Sequence, residues 1–253
     1  MSDGFLHGKF VWFEHLSHDV GKASAFYDAL FGWQTKLLPM GPEQYPMIHN
    51  GAQGIGGFRQ APGGARSGWM SYLSVPDVDV SFRAAIAAGA KELMAPFEYA
   101  DTGRGAVIAD PTGATFSLWK DAKRDRPDDE STPVGEWFWN ELWTPQERRA
   151  LAFYETIFGF THNSMDMGPM GTYYVLHKDG KPRAGLARSV QPKAQAMWLP
   201  YVKVRDCDTT ASKAKTLGGD VVTPPRDIPQ VGRFAIVVDP TGAACAFMAP
   251  QSA

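Results

Sequence analysis

The sequence has little cysteine, no long apolar run and no excess of charge of either sign. Its two cysteines, Cys207 and Cys245, stand alone, so a disulfide framework or a structural zinc site is not expected. The formal net charge is −2, whereas binding to nucleic acid takes clustered Lys and Arg. No segment approaches the roughly 18 apolar residues that a membrane span needs. We therefore expect neither a nucleic-acid partner nor a membrane partner.

The amino-terminal segment lacks the basic stretch followed by an apolar stretch that marks a secretory signal peptide. It reads Met1-Ser2-Asp3-Gly4-Phe5-Leu6-His7. With so little cysteine, this start predicts a cytoplasmic protein. Aromatic residues, in contrast, are abundant, at 12% of the chain and including 8 Trp.

Several motifs occur twice in the same order. Phe-Tyr-x-x-x-Phe-Gly followed by an aromatic residue stands at 26–33 and again at 153–160, and Asp-Pro-Thr-Gly-Ala stands at 110–114 and again at 239–243. Ordered matches at a nearly constant spacing indicate two homologous domains. We predict these domains at 8–120 and 135–250. The segment 121–134 has almost nothing apolar to bury and is predicted to be an exposed linker.

Each predicted domain divides again into two similar units. A short strand precedes a helix, and about three short β-rich segments follow it. In the first unit Asp19 suits the helix N-cap and Gly32 suits the position after the last helical residue. In the third, Thr144-Pro145-Gln146-Glu147 reads as a capping box. The predicted fold class is α+β, with four βαβββ units in two tandem domains.

This arrangement, with its two motifs, resembles the vicinal oxygen chelate superfamily of glyoxalase I, bleomycin-resistance proteins, fosfomycin-resistance enzymes and extradiol dioxygenases. The resemblance covers nearly the whole chain and is closest to the two-domain, glyoxalase-like secreted-antigen and "hydroxylase" proteins of actinobacteria. It implies two glyoxalase-like domains, in each of which two units form a cupped sheet around a cleft. The motifs say more about fold than about function, because one fold carries many sites.

The metal-ligand positions of that family fall on unsuitable residues here. In the first domain they are Trp12, Met70, Ser117 and a position near Gly56 and Gly57; in the second they are Trp139, Leu199, Ala246 and a position near Leu186. Metal sites need imidazole, carboxylate or thiolate ligands. We therefore expect no metal and no other cofactor.

Alternation along a strand predicts which neighbours share the cleft with these positions. Among them are two Glu–Tyr combinations, Glu14 with Tyr72 and Glu141 with Tyr201. If a pseudo-twofold axis relates the units, the members of each combination meet. Such a pair can act as a general acid or base, orient a ligand without chemistry, or simply satisfy itself within the sheet.

Other polar residues leave further alternatives open. Arg104 and Arg233 occupy matching loops, where they can clamp a carboxylate or phosphate of a ligand or cap a turn. His15 faces away from Glu14, toward the helix, and is expected to be a core or edge histidine with its hydrogen bonds satisfied. A metal site with ligands from other positions, such as Glu14, His15 or His49, is the rival interpretation.

The sequence thus predicts a metal-independent protein that binds a small hydrophobic or aromatic organic molecule in an apolar cleft. The predicted ligand-binding residues are Trp12, Met70, Ser117, Trp119, Trp139, Trp143, Leu199, Arg104 and Arg233. An enzymatic version is a lyase or isomerase with Glu14 or Glu141 as base. The alternative is a metal-dependent glyoxalase I-like lyase or dioxygenase with non-standard ligands. Both a monomer and a homodimer are compatible with the sequence.

Overall fold

The computed structural model describes residues 4–40, 43–99, 101–129, 131–189 and 194–251. Residues 1–3 of the amino-terminal segment and Glu130 of the predicted linker lie outside these ranges. Within them the chain forms two eight-stranded sheets and four α-helices. The predicted α+β class and the four βαβββ units are confirmed. No helix in the described part of the chain is long and apolar enough to cross a membrane.

Four repeats of the same element order follow one another along the chain. Repeat 1 contains β1 (Phe10–Ser17), α1 (Val20–Phe31), β2 (Gln34–Met40), β3 (Glu43–Asn50) and β4 (Gln53–Gln60). Repeat 2 contains β5 (Gly68–Ser74), α2 (Val78–Ala87), β6 (Lys91–Glu98), β7 (Gly103–Ala109) and β8 (Thr115–Asp121). Repeat 3 contains β9 (Trp137–Thr144), α3 (Glu147–Phe158), β10 (Thr161–Asp166), β11 (Thr172–Lys178) and β12 (Lys181–Arg188). Repeat 4 contains β13 (Met197–Lys203), α4 (Cys207–Thr216), β14 (Asp220–Ile228), β15 (Gly232–Val238) and β16 (Ala244–Pro250).

Local capping explains where the helices begin and end. The Asp19 side chain accepts a hydrogen bond from the Lys22 N–H at the start of α1, and Gly32 ends that helix in the left-handed region at φ 76°. The predicted capping box of α3 is wrong. That helix begins at Glu147, its N-cap Gln146 makes no side-chain cap bond, and Thr144 is still the last residue of β9. The Thr144 hydroxyl instead accepts from the Gln146 N–H.

Each sheet is built from two consecutive repeats. The strand orders are β2-β3-β4-β1-β5-β8-β7-β6 and β10-β11-β12-β9-β13-β16-β15-β14. The first strand of every repeat pairs in parallel with the last, as β1 does with β4 and β5 with β8. Repeats therefore share a sheet within each domain, which the sequence had left open.

The chain packs as two compact units, and each unit combines repeats from both domains. Unit 1 comprises Met1–Trp12, Met70–Asp128 and Trp139–Trp198, and unit 2 comprises Phe13–Trp69, Asp129–Phe138 and Leu199–Ala253. Helix α2 packs against α3 in unit 1, and α1 packs against α4 in unit 2.

The core of unit 2 contains a polar network that joins repeat 1 to repeat 4. Asp239 belongs to the second Asp-Pro-Thr-Gly motif, and its Oδ2 accepts a hydrogen bond of 2.7 Å from His15 Nε2. Tyr27, from the first Phe-Tyr motif, also hydrogen-bonds Asp239 and accepts from Trp69 Nε1 at 3.0 Å. His15 is fully buried, so of its two predicted places, core or edge, the structure has the core.

The core of unit 1 contains a similar polar network, which joins repeat 2 to repeat 3. Tyr154 of the second Phe-Tyr motif donates to Asp110 Oδ2 at 3.0 Å and accepts from Trp198 Nε1 at 2.9 Å. Asp110 Oδ1 also accepts from the Thr112 and Ala114 N–H groups, which fixes the hairpin turn. In each unit, then, the tyrosine of one motif bonds the aspartate of the other, and both motifs serve the fold.

Most residues of the predicted linker are exposed, and two of its aspartates are anchored in unit 1. Asp125 is buried and its Oδ2 accepts from the Leu6 N–H and the Ser74 hydroxyl. Asp128 accepts from Lys9, Lys181 and Arg183. Burial alone raises the pKa of Asp128, but these three cations together hold it well below its usual value.

Candidate functional site

The Glu14 site lies in unit 2, on the sheet face opposite to helix α1, and consists of Glu14, Tyr45, Gly57 and Arg59. Glu14 is buried, with its Oε1 accepting from the Tyr45 hydroxyl at 2.9 Å. Its Oε2 accepts from Arg59 Nε at 3.2 Å. The Arg59 guanidinium carbon also lies 5.5 Å from the centre of the Tyr45 ring. A buried carboxylate is thus held by a phenol and a guanidinium.

The Glu141 site is the corresponding group in unit 1 and consists of Trp139, Glu141, Tyr173 and Gly185. The Tyr173 hydroxyl donates to Glu141 Oε2 at 2.6 Å and accepts from Trp139 Nε1 at 2.9 Å. Burial raises the pKa of Tyr173, and the neighbouring Glu141 charge raises it further. The phenol therefore remains a hydrogen-bond donor at neutral pH.

A glycine makes room for the tyrosine in each site. A methyl group built on Gly57 would overlap the Tyr45 hydroxyl, and one built on Gly185 would overlap the Tyr173 hydroxyl. These glycines stand at or beside the positions where the resemblance places a metal ligand. At both positions a phenol oxygen lies above the strand.

Replacing Gly185 with alanine is expected to displace Tyr173 from Glu141 and to lower the free energy of unfolding by about 1–3 kcal/mol, as overpacking does. Urea unfolding followed by tryptophan fluorescence measures this. Gly63→Ala is the matched control, because a Cβ at Gly63 meets nothing within 4 Å. Equal stability of the two variants would contradict the close approach of Tyr173 to Gly185.

The tyrosines of the two predicted Glu–Tyr combinations, Tyr72 and Tyr201, contact other aromatic side chains. Tyr72 on β5 lies edge-on to Trp119 at 5.7 Å, and Trp119 lies edge-on to Tyr99 at 5.6 Å. In unit 2, Tyr201 on β13 lies 6.4 Å from Phe234. The expected meetings of Glu14 with Tyr72 and of Glu141 with Tyr201 stay predictions, as does every functional role assigned to these residues.

Four further predicted ligand-binding residues lie on the first strands of the repeats. Trp12 on β1, Met70 on β5 and Trp143 on β9 are half-buried, and Leu199 on β13 is buried. Trp12 and Trp143 therefore share a strand with Glu14 and Glu141, whereas Met70 and Leu199 share a strand with Tyr72 and Tyr201.

The residues at the family's metal positions do not fit a metal. The Ser117 hydroxyl points at the backbone carbonyls of Ala106 and Leu118, at 3.2 and 3.1 Å. His15 is bonded to Asp239 in the core and so cannot join Glu14, which lies on the opposite face of β1. In the described ranges no group of three or more His, Cys, Asp or Glu side chains is placed to hold a metal ion.

Arg104 and Arg233 are engaged with carboxylates on their own repeats. Arg104 makes two hydrogen bonds to Asp79 of α2, at 2.6 and 2.8 Å, and a third to Glu98 at 3.0 Å. Arg233 makes the equivalent bonds to Asp208 and Asp227. Both arginines lie on strands, β7 and β15, rather than in the predicted loops, and each ties its strand to the first turn of a helix. Their role in ligand binding stays a prediction.

Tyr45, Tyr173 and Arg59 were missed by the sequence interpretation. A usable signal existed for the tyrosines, because Tyr45 and Gly57 recur as Tyr173 and Gly185 at one constant spacing. Arg59 has no such signal, since its counterpart in repeat 3 is alanine.

Comparison with known proteins agrees with this fold. The family model described as "Glyoxalase-like domain" matches residues 12–119, and the one described as "Glyoxalase/Bleomycin resistance protein/Dioxygenase superfamily" matches 139–247. The chain belongs to this superfamily. The protein named "Putative glyoxylase CFP32" of Mycobacterium tuberculosis is 36% identical over 245 residues, 94% of each chain.

Two further similarities extend this comparison. "Anthracycline biosynthesis protein DnrV" of Streptomyces peucetius is 31% identical over 257 residues, covering 94% of this chain and 92% of DnrV. The Mn(II)-bound glyoxalase from Novosphingobium aromaticivorans has a TM-score of 0.68 at 16% identity, covering 96% of this chain and 82% of that one. At this identity the structural likeness concerns the fold of the superfamily.

Proposed function

We propose that this superfamily member binds a small hydrophobic or aromatic organic molecule without a metal, and that the Glu14 and Glu141 sites orient it. The observation that carries the proposal is the pair of a buried carboxylate and a phenol above a glycine, found twice, with the glycine at or beside a metal position of the family. A flat ligand suits the aromatic side chains on these strands, because stacking and burial of ring surface stabilise it.

The relatives give this proposal its direction. DnrV is named for anthracycline biosynthesis, which suits a polycyclic aromatic ligand. CFP32 is named as a glyoxylase, which suits the enzymatic version, a lyase or isomerase. In that version the Glu carboxylate accepts a proton from a bound substrate, and the phenol hydrogen-bonds the oxygen on which negative charge develops.

A metal-free binder is expected to keep its ligand affinity after treatment with a chelator. The probe is N-phenyl-1-naphthylamine, an uncharged aromatic amine whose fluorescence rises on transfer to an apolar site. We expect dissociation constants within about twofold of each other before and after dialysis against EDTA, because no donor group of the sites requires a metal.

Metal analysis of the purified protein completes this test. Stoichiometric zinc, nickel, iron or manganese, together with probe binding lost on chelation and restored by that metal, would favour the metal-dependent glyoxalase or dioxygenase alternative. Failure of the untreated protein to bind any aromatic probe would reject the binding function itself.

A further inference from the structure

The Glu14 and Glu141 sites share a carboxylate, a phenol and a glycine but differ at a place beside the carboxylate. Repeat 1 has Leu16 paired in register with Arg59, whereas repeat 3 has Trp143 paired with Ala187. The leucine side chain and the guanidinium of repeat 1 thus correspond to an indole and a methyl group in repeat 3.

Arg59 bridges the buried carboxylate and solvent. Its side chain is 36% exposed, whereas that of Glu14 is only 5% exposed. Nε takes the bond to Glu14, and the rest of the planar guanidinium lies over Tyr45. The ion pair balances the Glu14 charge, and the half-exposed guanidinium offers the geometry that carboxylates and sulfonates accept.

The Glu141 site presents a neutral group at the matching place. Ala187 carries no charge, and Trp143 supplies an aromatic surface. The Trp143 Nε1 is buried and has no hydrogen-bond partner among the described residues. An indole N–H suits an uncharged acceptor such as a carbonyl group. An anionic group at this place is repelled by the Glu141 carboxylate, and alanine at position 187 offers no positive charge to offset that repulsion.

We propose that the two sites differ in ligand class, with Arg59 as the determinant: the Glu14 site takes aromatic ligands that carry an anionic group, and the Glu141 site takes uncharged ones. This inference rests on the proposed function. It assigns different roles to the two halves of a duplication.

A matched pair of probes tests this difference. 8-Anilino-1-naphthalenesulfonate and N-phenyl-1-naphthylamine share one ring skeleton and differ by a sulfonate. Arg59→Ala is expected to weaken sulfonate binding about tenfold or more, the value of a charge-assisted hydrogen bond, and to change binding of the neutral probe by less than about twofold. Added salt should weaken only the sulfonate probe.

A gain-of-function variant covers the risk that Arg59→Ala perturbs folding. Ala187→Arg should raise the affinity or the number of sulfonate sites per chain, while the exposed Arg66→Ala serves as the control for lost surface charge. Near-UV circular dichroism checks that each variant is folded.

The outcomes separate the two proposals. If the wild-type protein binds both probes and neither variant alters the preference for the sulfonate, the role of Arg59 is rejected and the binding function stands. If the wild-type protein binds neither probe, the binding function fails and the inference fails with it.

Discussion

Asp239→Ala is expected to lower the free energy of unfolding by about 3–5 kcal/mol, because it removes the shared acceptor of a buried hydrogen-bonded network. Both Asp239 and His15 have fully buried side chains, 2.7 Å apart at their nearest atoms. Asp239 Oδ1 also accepts from the Thr241 and Ala243 N–H groups. The substitution therefore leaves buried donors of two repeats without an acceptor.

Two further variants show whether the lost stability comes from the buried network around Asp239. Asp206→Ala removes a helix cap from the exposed start of α4 and should cost only about 1 kcal/mol. His15→Leu should cost less than Asp239→Ala, because Leu142 fills the equivalent position in unit 1. Urea unfolding measures all three, and a loss below about 1 kcal/mol for Asp239→Ala would be inconsistent with a buried network.

The same network has a predictable dependence on pH. Burial raises the pKa of Asp239, but the hydrogen bond and charge of His15, with the bonds from Thr241 and Ala243, leave it lowered overall. A carboxylate with a lowered folded-state pKa contributes stability above its unfolded pKa of about 3.9 and loses it as the pH falls through the folded value. Wild-type stability should therefore fall below about pH 4, and Asp239→Asn should flatten that slope.

Proton transfer at the Glu sites is the second large expected effect. If Glu14 and Glu141 act as bases, the wild-type protein should accelerate exchange of the α-protons of 2-tetralone, an aromatic ketone, with deuterium in D₂O. The carboxylate takes the proton from the α-carbon to leave an enolate, and a deuteron returns to that carbon. The double variant Glu14→Gln, Glu141→Gln should lower the protein-dependent rate of deuterium exchange by roughly 10²–10⁴-fold.

Proton NMR follows this exchange directly. Glu92→Gln is the control, because Glu92 is exposed on β6. The double variant must still bind the neutral aromatic probe, since a glutamine keeps the shape and an acceptor oxygen. No acceleration by the wild-type protein, or equal acceleration by the double variant, would reject the acid–base role and leave the binding role.

The two motifs that revealed the repeats turn out to be structural. Tyr154 bonds Asp110 and Tyr27 bonds Asp239, each inside a unit core. Such residues identify the superfamily and say nothing about the ligand, because they never reach the sheet face of the Glu sites. This explains why the sequence pattern was informative about fold and far less so about chemistry.

The sequence by itself determined the duplicated duplication, the α+β class and the sheet face of Glu14 and Glu141. These features depend on short-range physics: an Asp cap, a glycine with positive φ and the alternation of side chains along a strand. The same local reasoning failed at the start of α3. There Thr144, the expected N-cap, is still the last residue of strand β9.

Only the tertiary structure decided what holds the carboxylates. Tyr45 and Tyr173 reach Glu14 and Glu141 from another strand of the sheet, across a glycine that leaves room for the ring. Such a contact depends on strand order, register and the absence of one Cβ, none of which is encoded next to the glutamate. The ion pairs of Asp128 were beyond the sequence for the same reason, because this residue meets its three cations only where distant segments come together.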